Sequence, residues 1–212
     1  MIRVRDRHSG PVTASVLVTW LLLASIVTPS AVVAEESISE LPWNLQANAM
    51  VTQSGTGGRR SSALQLRITA WTTEEDREQI LTEIQEATAQ GGRRGNRAVA
   101  RALRGATRVG TLNAPGQMGW SLRYARATPM PDGKQRVLLA TDRPVAFAEA
   151  WTSTRGGDFD VTVIQLTLDA EGNGEGTLSF GTEVIWNTET ESLEVTNITS
   201  QPIALGNVRR TN

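Results

Sequence analysis

Asp142 and Arg143 stand together in Leu139-Ala140-Thr141-Asp142-Arg143-Pro144, where an apolar run meets a proline-bearing turn. A carboxylate beside a planar guanidinium can recognise a polar ligand through charge-assisted hydrogen bonds. Arg123, Glu149 and Trp151 would complete such a site with a second guanidinium, a second carboxylate and an apolar plate. The same residues also have a structural use. A turn Asp accepts from nearby backbone N–H groups, and Arg143 would then pair with Glu149. The structural use is the leading expectation. The candidate binding set is Arg123, Asp142, Arg143, Glu149 and Trp151.

Composition removes most other chemistry. The chain has no Cys, and its one His is His8, close to the N-terminus. Ser–His–Asp and Cys–His nucleophile pairs, thiolate or imidazole metal sites and disulfides all drop out of the remaining chain. Neither a cofactor nor a transition metal is expected. Carboxylates alone can cleave glycosides. Glu149, Asp158, Asp160 and Glu183 are available, but no spacing marks two of them as a pair. A cofactor-free carboxylate hydrolase is therefore kept as an alternative without assigned catalytic residues. Asp169, Glu171, Asn173 and Gly174 imitate the first half of a calcium loop, but the twelfth position is Phe180 rather than a closing Glu. A polar hairpin loop is the expectation there. Trp43, Trp71, Trp120, Trp151 and Trp186 could line a groove for a sugar or an apolar ligand. Trp120 and Trp186 fall in phase with strand interiors and are expected in the core. Trp43 and Trp71 stay open as ligand-facing residues. Asn197-Ile198-Thr199 fits a glycosylation sequon, which a bacterial periplasm would leave unused.

The N-terminus has the grammar of an export signal. Arg3, Arg5 and Arg7 precede an apolar run from Val12 to Val27, Pro29 ends it, and Val32 and Ala34 flank a cut before Glu35. The run is shorter than the about 20 residues that a spanning helix needs. Residues 1–34 are expected to be removed, leaving no membrane anchor and a periplasmic or secreted protein. Lys and Arg together number 21 against 22 Asp and Glu. That balance argues against nucleic acid and against an anionic membrane as partners. Lys134 is the only lysine, a bias that genomic base composition explains more simply than a selected guanidinium surface. A chain of this size can bury roughly 70% of its unfolded surface and needs no disulfides. One domain over 46–212, after a short leader at 35–45, is expected.

The elements that must position these residues are mostly short strands. Leu45, Ala47, Ala49 and Val51 alternate with polar residues, and so do Leu64, Leu66, Ile68 and Ala70. They form a hairpin candidate across the Gly/Ser turn at 54–62. After Trp71 the period changes. Thr72 and Thr73 are N-cap candidates, with Thr72 and Glu75 spaced as a capping box. Ile80, Ile84 and Ala87 form one apolar stripe, and Gly91 and Gly92 stop the helix. A second helix is expected from Asn96 to Gly105, so the helical insertion covers about 73–105. Strands resume near Val109, and Trp120, Leu122 and Tyr124 share one face. Pro131-Asp132-Gly133 is a turn, and residues 136–142 return. Residues 144–153 are ambiguous, with a short helix as one option. Residues 159–168 form the clearest strand, whose phase shift at Val163–Ile164 predicts burial on both faces or a bulge. After a loop at 169–176, a strand runs from Leu178 to Trp186, and later strands hold Leu193, Val195, Ile203 and Leu205. The sum is a mainly β protein, an antiparallel barrel or sandwich of about eight or nine strands with an inserted helical pair.

Several segments carry a family resemblance. They are Trp71-Thr72-Thr73 with Asp76-Arg77, Arg108-Val109-Gly110, Gly119 with Leu122-Arg123-Tyr124-Ala125, Leu139 to Pro144, Phe147 with Glu149-Ala150, Leu166 with Leu168, and Gly172 to Leu178. In these the chain resembles a group of uncharacterised secreted or periplasmic proteins of soil-type bacteria. The resemblance covers about two-thirds of the precursor and implies an exported domain rich in β-structure. That group has no established activity, so no catalytic residue is carried over. Gly91 to Gly95 is longer and more basic than the usual linker between the two helices of that group.

The expected function is an exported, non-enzymatic β-domain, either a binding module or one that scaffolds the envelope, with a small ligand or an envelope protein as its partner. The alternative is a carrier holding an apolar or lipid-like molecule inside a barrel. Large apolar residues at every inward position would favour the first.

Overall fold

The computed structural model describes residues 41–52, 59–90, 92–143, 145, 161–181, 183–187, 192–196 and 202–211. Glu149 and Trp151, the helix option at 144–153 (Val145 apart) and the export signal lie outside the described residues. Ten strands and two helices follow in chain order. They are β1 (Trp43–Thr52), β2 (Arg59–Ile68), α1 (Glu74–Gln90), α2 (Gly92–Gly105), β3 (Gly110–Asn113), β4 (Trp120–Pro129), β5 (Gln135–Thr141), β6 (Val161–Leu168), β7 (Asn173–Gly181), β8 (Glu183–Asn187), β9 (Ser192–Thr196) and β10 (Ile203–Thr211). Eight of the strands close an antiparallel barrel in the order β1-β10-β7-β6-β5-β4-β3-β2. Each barrel strand therefore neighbours the next one in sequence, and β10 returns to β1. The pair β8–β9 forms a separate two-stranded sheet. The choice between barrel and sandwich is thus settled for the barrel.

Alternation explains the interior. Trp43, Leu45, Ala47 and Ala49 of β1 are buried, while Asn44, Gln46, Asn48 and Met50 between them are not. Leu64, Leu66 and Ile68 of β2 do the same, as do Leu178 and Phe180 of β7. These join Leu112, Trp120, Leu122, Val137, Leu139, Ile164, Leu166 and Leu205 in one contiguous apolar cluster. An eight-stranded barrel has an interior just wide enough for its own side chains.

A second apolar cluster lies outside the barrel wall. Ile80 and Ile84 of α1 and Val99, Ala100 and Leu103 of α2 meet Tyr124, Leu138, Ala140, Val161 and Val163. The phase shift in β6 is therefore burial on both faces. Its pairing with β5 and β7 runs without a register break. Strand β4 holds the bulge instead. Leu122 faces Thr141 but Tyr124 faces Ala140, so Arg123 is the extra residue. This corrects the expectation that Trp120, Leu122 and Tyr124 share a face. The bulge turns Tyr124 outward beneath the helices and returns Ala125 to the interior cluster.

Other boundaries also move. Strand β1 starts at Trp43, inside the expected leader. Helix α2 starts at Gly92 rather than Asn96, so the basic Gly–Arg segment from Gly92 on is helical. Thr73, not Thr72, caps α1: its hydroxyl accepts from the Asp76 N–H at 3.1 Å. Thr72 serves β4 instead, exchanging bonds with Ala125 through its N–H (2.9 Å) and its Oγ1 (2.8 Å). The loop after β6 shrinks to a tight turn, because Gly174 to Thr177 already pair with β6 and Asn173 with Arg209 of β10. Gly172 there has φ 83°, a conformation that favours glycine. The strand expected from Leu178 to Trp186 divides into β7 and β8. Among the described residues no helix is long and apolar enough to cross a membrane.

Candidate functional site

The bulge on β4 aims Arg123 at the end of β5. Its Nε lies 3.7 Å from Oδ2 of Asp142, and its Nη1 donates to the Ala106 carbonyl at 3.0 Å. Arg104, in the last turn of α2, approaches the same Oδ2 at 3.9 Å. The Asp142 side chain is only 11% exposed and Arg123 23%, whereas Arg104 is 64% exposed. Arg143 points elsewhere. Its Nη2 donates to the Gly119 carbonyl at 3.0 Å, and its own carbonyl accepts from Thr141 Oγ1 at 2.6 Å. Of the five expected site residues, the structure brings Arg123 and Asp142 together and sets Arg143 on the neighbouring β3–β4 turn. The expected Arg143–Glu149 pair falls on a residue that is not described. Two guanidiniums stand within 4 Å of the Asp142 carboxylate as ion-pair partners, the Arg123 Nε without a direct hydrogen bond, and among the described residues no backbone N–H donates to that carboxylate. Arg123 in turn ties the carbonyl just past α2 to the barrel wall. This is the chemistry of a clamp between helix and barrel.

A second polar knot holds the start of α1, three residues further along β4. Glu74 meets Arg77 and, at 3.1 Å, Nη1 of Arg126. These guanidiniums hold the Glu74 carboxyl below its ordinary range, with Arg126 the larger influence. The Tyr124 ring is fully buried beside them, and burial pushes its phenol up. Its hydroxyl makes no well-formed hydrogen bond among the described residues, although the Arg77 guanidinium stands close enough to oppose the upward shift. Of the two tryptophans left open, Trp43 is buried and Trp71 is half-buried against the interior cluster. Trp43 is 3% exposed, meets Trp71 edge-on at 5.2 Å between centroids, and carries the Arg210 guanidinium 4.7 Å from its ring centre. Trp43 is therefore sealed by protein rather than open to a ligand. The calcium-like segment is a turn: Asp169 Oδ1 accepts the Asn173 N–H at 2.7 Å. Among the described residues no cluster of three or more His, Asp or Glu could hold a metal ion.

A groove shaped to receive a ligand lies on the outer wall. An open groove of about 1110 Å³ crosses β2, β1, β10 and β7 toward the β6–β7 turn. A second bulge bends its floor. Gln46 pairs with Arg209 but Asn48 with Gly206, and Leu205 pairs with Gly176 but Val208 with Gly174. The surplus falls on Gly206–Asn207, and Asn207 takes φ 49°. Outward amides line the groove: Gln46, Asn48, Gln65, Asn173 and Asn207, with Glu175 and Arg209 at one side. No hydrogen bond from the side chains of Gln46, Asn48, Gln65 or Asn207 to the described protein is present. Sequence reasoning missed these residues because each is an ordinary outward strand position. The available signal was their type: amides, rather than charges, recur on the polar face of β1.

Fold and groove together define a closed up-and-down barrel with a helical layer on one wall and a polar trough on another. Comparison with family models, with curated proteins and with solved structures gave no match for this chain.

Proposed function

We propose that this chain is an exported, non-enzymatic barrel that binds a hydroxyl-rich polymer, a glycan of the cell envelope, across its outer groove. The observation that carries the reading is the row of uncommitted amides on a trough bent by the β10 bulge. A carboxamide both donates and accepts, which matches the paired demand of sugar hydroxyls. Four strands at about 4.8 Å spacing give a trough roughly 15–20 Å long, which suits an extended chain better than a compact molecule. Charges of both signs rim it, so it favours neither polyanion nor polycation. The alternative of an apolar cargo draws less support, because the inward positions are mostly large apolar side chains, with alanines at Ala47, Ala49 and Ala125, packed into one contiguous cluster.

Affinity electrophoresis and calorimetry against soluble chitin-type, β-glucan and peptidoglycan glycan strands test the proposal. Binding to at least one class is expected. The triple variant Gln46→Ala/Asn48→Ala/Gln65→Ala should weaken it at least tenfold while melting normally. Stoichiometric uptake of an apolar fluorescent probe, with no glycan binding, would refute it.

A further inference from the structure

Charge is segregated within the helical layer. Helix α1 bears Glu74, Glu75, Asp76, Glu78, Glu83 and Glu86 against a single Arg77. Helix α2 bears five arginines and no acid. At 100° per residue, Glu75, Glu78 and Glu86 lie opposite the buried Ile80 and Ile84, and Arg97, Arg101 and Arg104 lie opposite the buried Val99 and Leu103. All six are exposed. Among them only Arg104 has an ion pair with described protein, the long one to Asp142. The helices run antiparallel: α1 begins beside Ala125, where Thr72 is bonded, and α2 ends beside Arg123, where Ala106 is bonded. The outer surface is thus an acidic stripe beside a basic one, about 10 Å apart.

We infer that this bipolar face binds a second copy of the same chain. A two-fold axis parallel to the helices lays each acidic stripe on the partner's basic stripe, so one operation satisfies both. The charge pattern selects this occupant. An extended anionic surface that met α2 would also meet the carboxylates of α1, about one screening length away. A polycation would meet the arginines in the same way. Two helices of 17 and 14 residues present a face of roughly 25 by 20 Å, or about 1,000 Å² buried in total. That is the low end for a specific interface, so the dimer is weak and sensitive to salt.

Sedimentation velocity on the protein as recovered from the cell tests this over a concentration series. Wild type should self-associate at about 0.01 M salt and dissociate near 1 M, where the screening length falls from roughly 30 to 3 Å. Arg97→Glu/Arg101→Glu makes both stripes acidic, and Glu78→Arg/Glu86→Arg makes both basic. Each variant alone should stay monomeric at low salt, and an equal mixture of the two should associate. A monomeric wild type at low salt overturns the inference, and so does a mixture that stays monomeric. Co-flotation of the wild type with phosphatidylglycerol vesicles also overturns it, because the face would then serve a membrane. The wild-type salt series needs no variant to fold.

Discussion

Arg123→Ala should be the most damaging polar substitution at the junction of barrel and helices. The guanidinium has two partners. Its bond to the Ala106 carbonyl is charge-assisted and contributes about 1.5–3 kcal/mol. Its attraction to Asp142 across 3.7 Å is roughly 4 kcal/mol at an effective dielectric near 20, and desolvation offsets most of that. Truncation leaves the largely buried Asp142 with Arg104 alone, at 3.9 Å and mostly in solvent. The expected loss is about 2–4 kcal/mol, or roughly 6–12 °C in Tm for a domain of this size. Asp142→Asn keeps the bond to Ala106 and should cost about 1–2 kcal/mol. Arg143→Ala removes one exposed bond to the Gly119 carbonyl and should cost about 0.5–1.5 kcal/mol. Thermal and urea unfolding of the three single variants and of Arg123→Ala/Asp142→Asn closes a double-mutant cycle, with a coupling of about 1 kcal/mol or more expected. Zero coupling, or an Arg143→Ala loss equal to that of Arg123→Ala, would refute the clamp.

Tyr124 is the only tyrosine, so absorbance near 295 nm follows it alone. Burial raises its folded-state pKa, so its stabilising contribution is complete below the unfolded value of about 10 and lost as pH rises further. Tyr124→Phe should flatten the alkaline loss of Tm and leave neutral stability unchanged or higher; an unaltered alkaline profile would count against it. Ile84→Ala empties a fully buried site between α1 and the wall and should cost about 2–5 kcal/mol by urea unfolding, whereas a loss under 1 kcal/mol would mean that the layer is loosely packed. Intact-mass analysis of protein from the envelope or medium should find a chain starting near Glu35, and cytoplasmic full-length chain would contradict export.

Periodicity made the barrel legible. Each of β1 and β2 has an apolar parity that is the parity found inside, and of the two readings offered by the phase shift at Val163–Ile164, burial on both faces holds and the bulge does not. What alternation cannot show is where its own phase breaks. The extra residue at Arg123 inverted the expected face of Tyr124, because Leu-Arg-Tyr-Ala fits an unbroken strand equally well. The helical pair was legible from its stripes, but the Thr72–Thr73 choice was not. Both residues can cap, and only the pairing of Thr72 with Ala125 decides between them. Of the candidate site, Asp142 and Arg123 could be named but not their partners. Arg104 and the Ala106 carbonyl arrive from another element. The groove was invisible because it depends on a bulge at Gly206–Asn207 and on four neighbouring strands.

On the proposed function, ligand meets the outer wall rather than the interior. Backbone-amide and methyl NMR titration with the tightest-binding oligosaccharide tests it residue by residue. Shifts should be confined to Gln46, Asn48, Gln65, Asn207 and their strand neighbours, with the Leu66, Leu139, Ile164 and Leu166 methyls unmoved. Shifts of those inward methyls, with the outer amides silent, would contradict it.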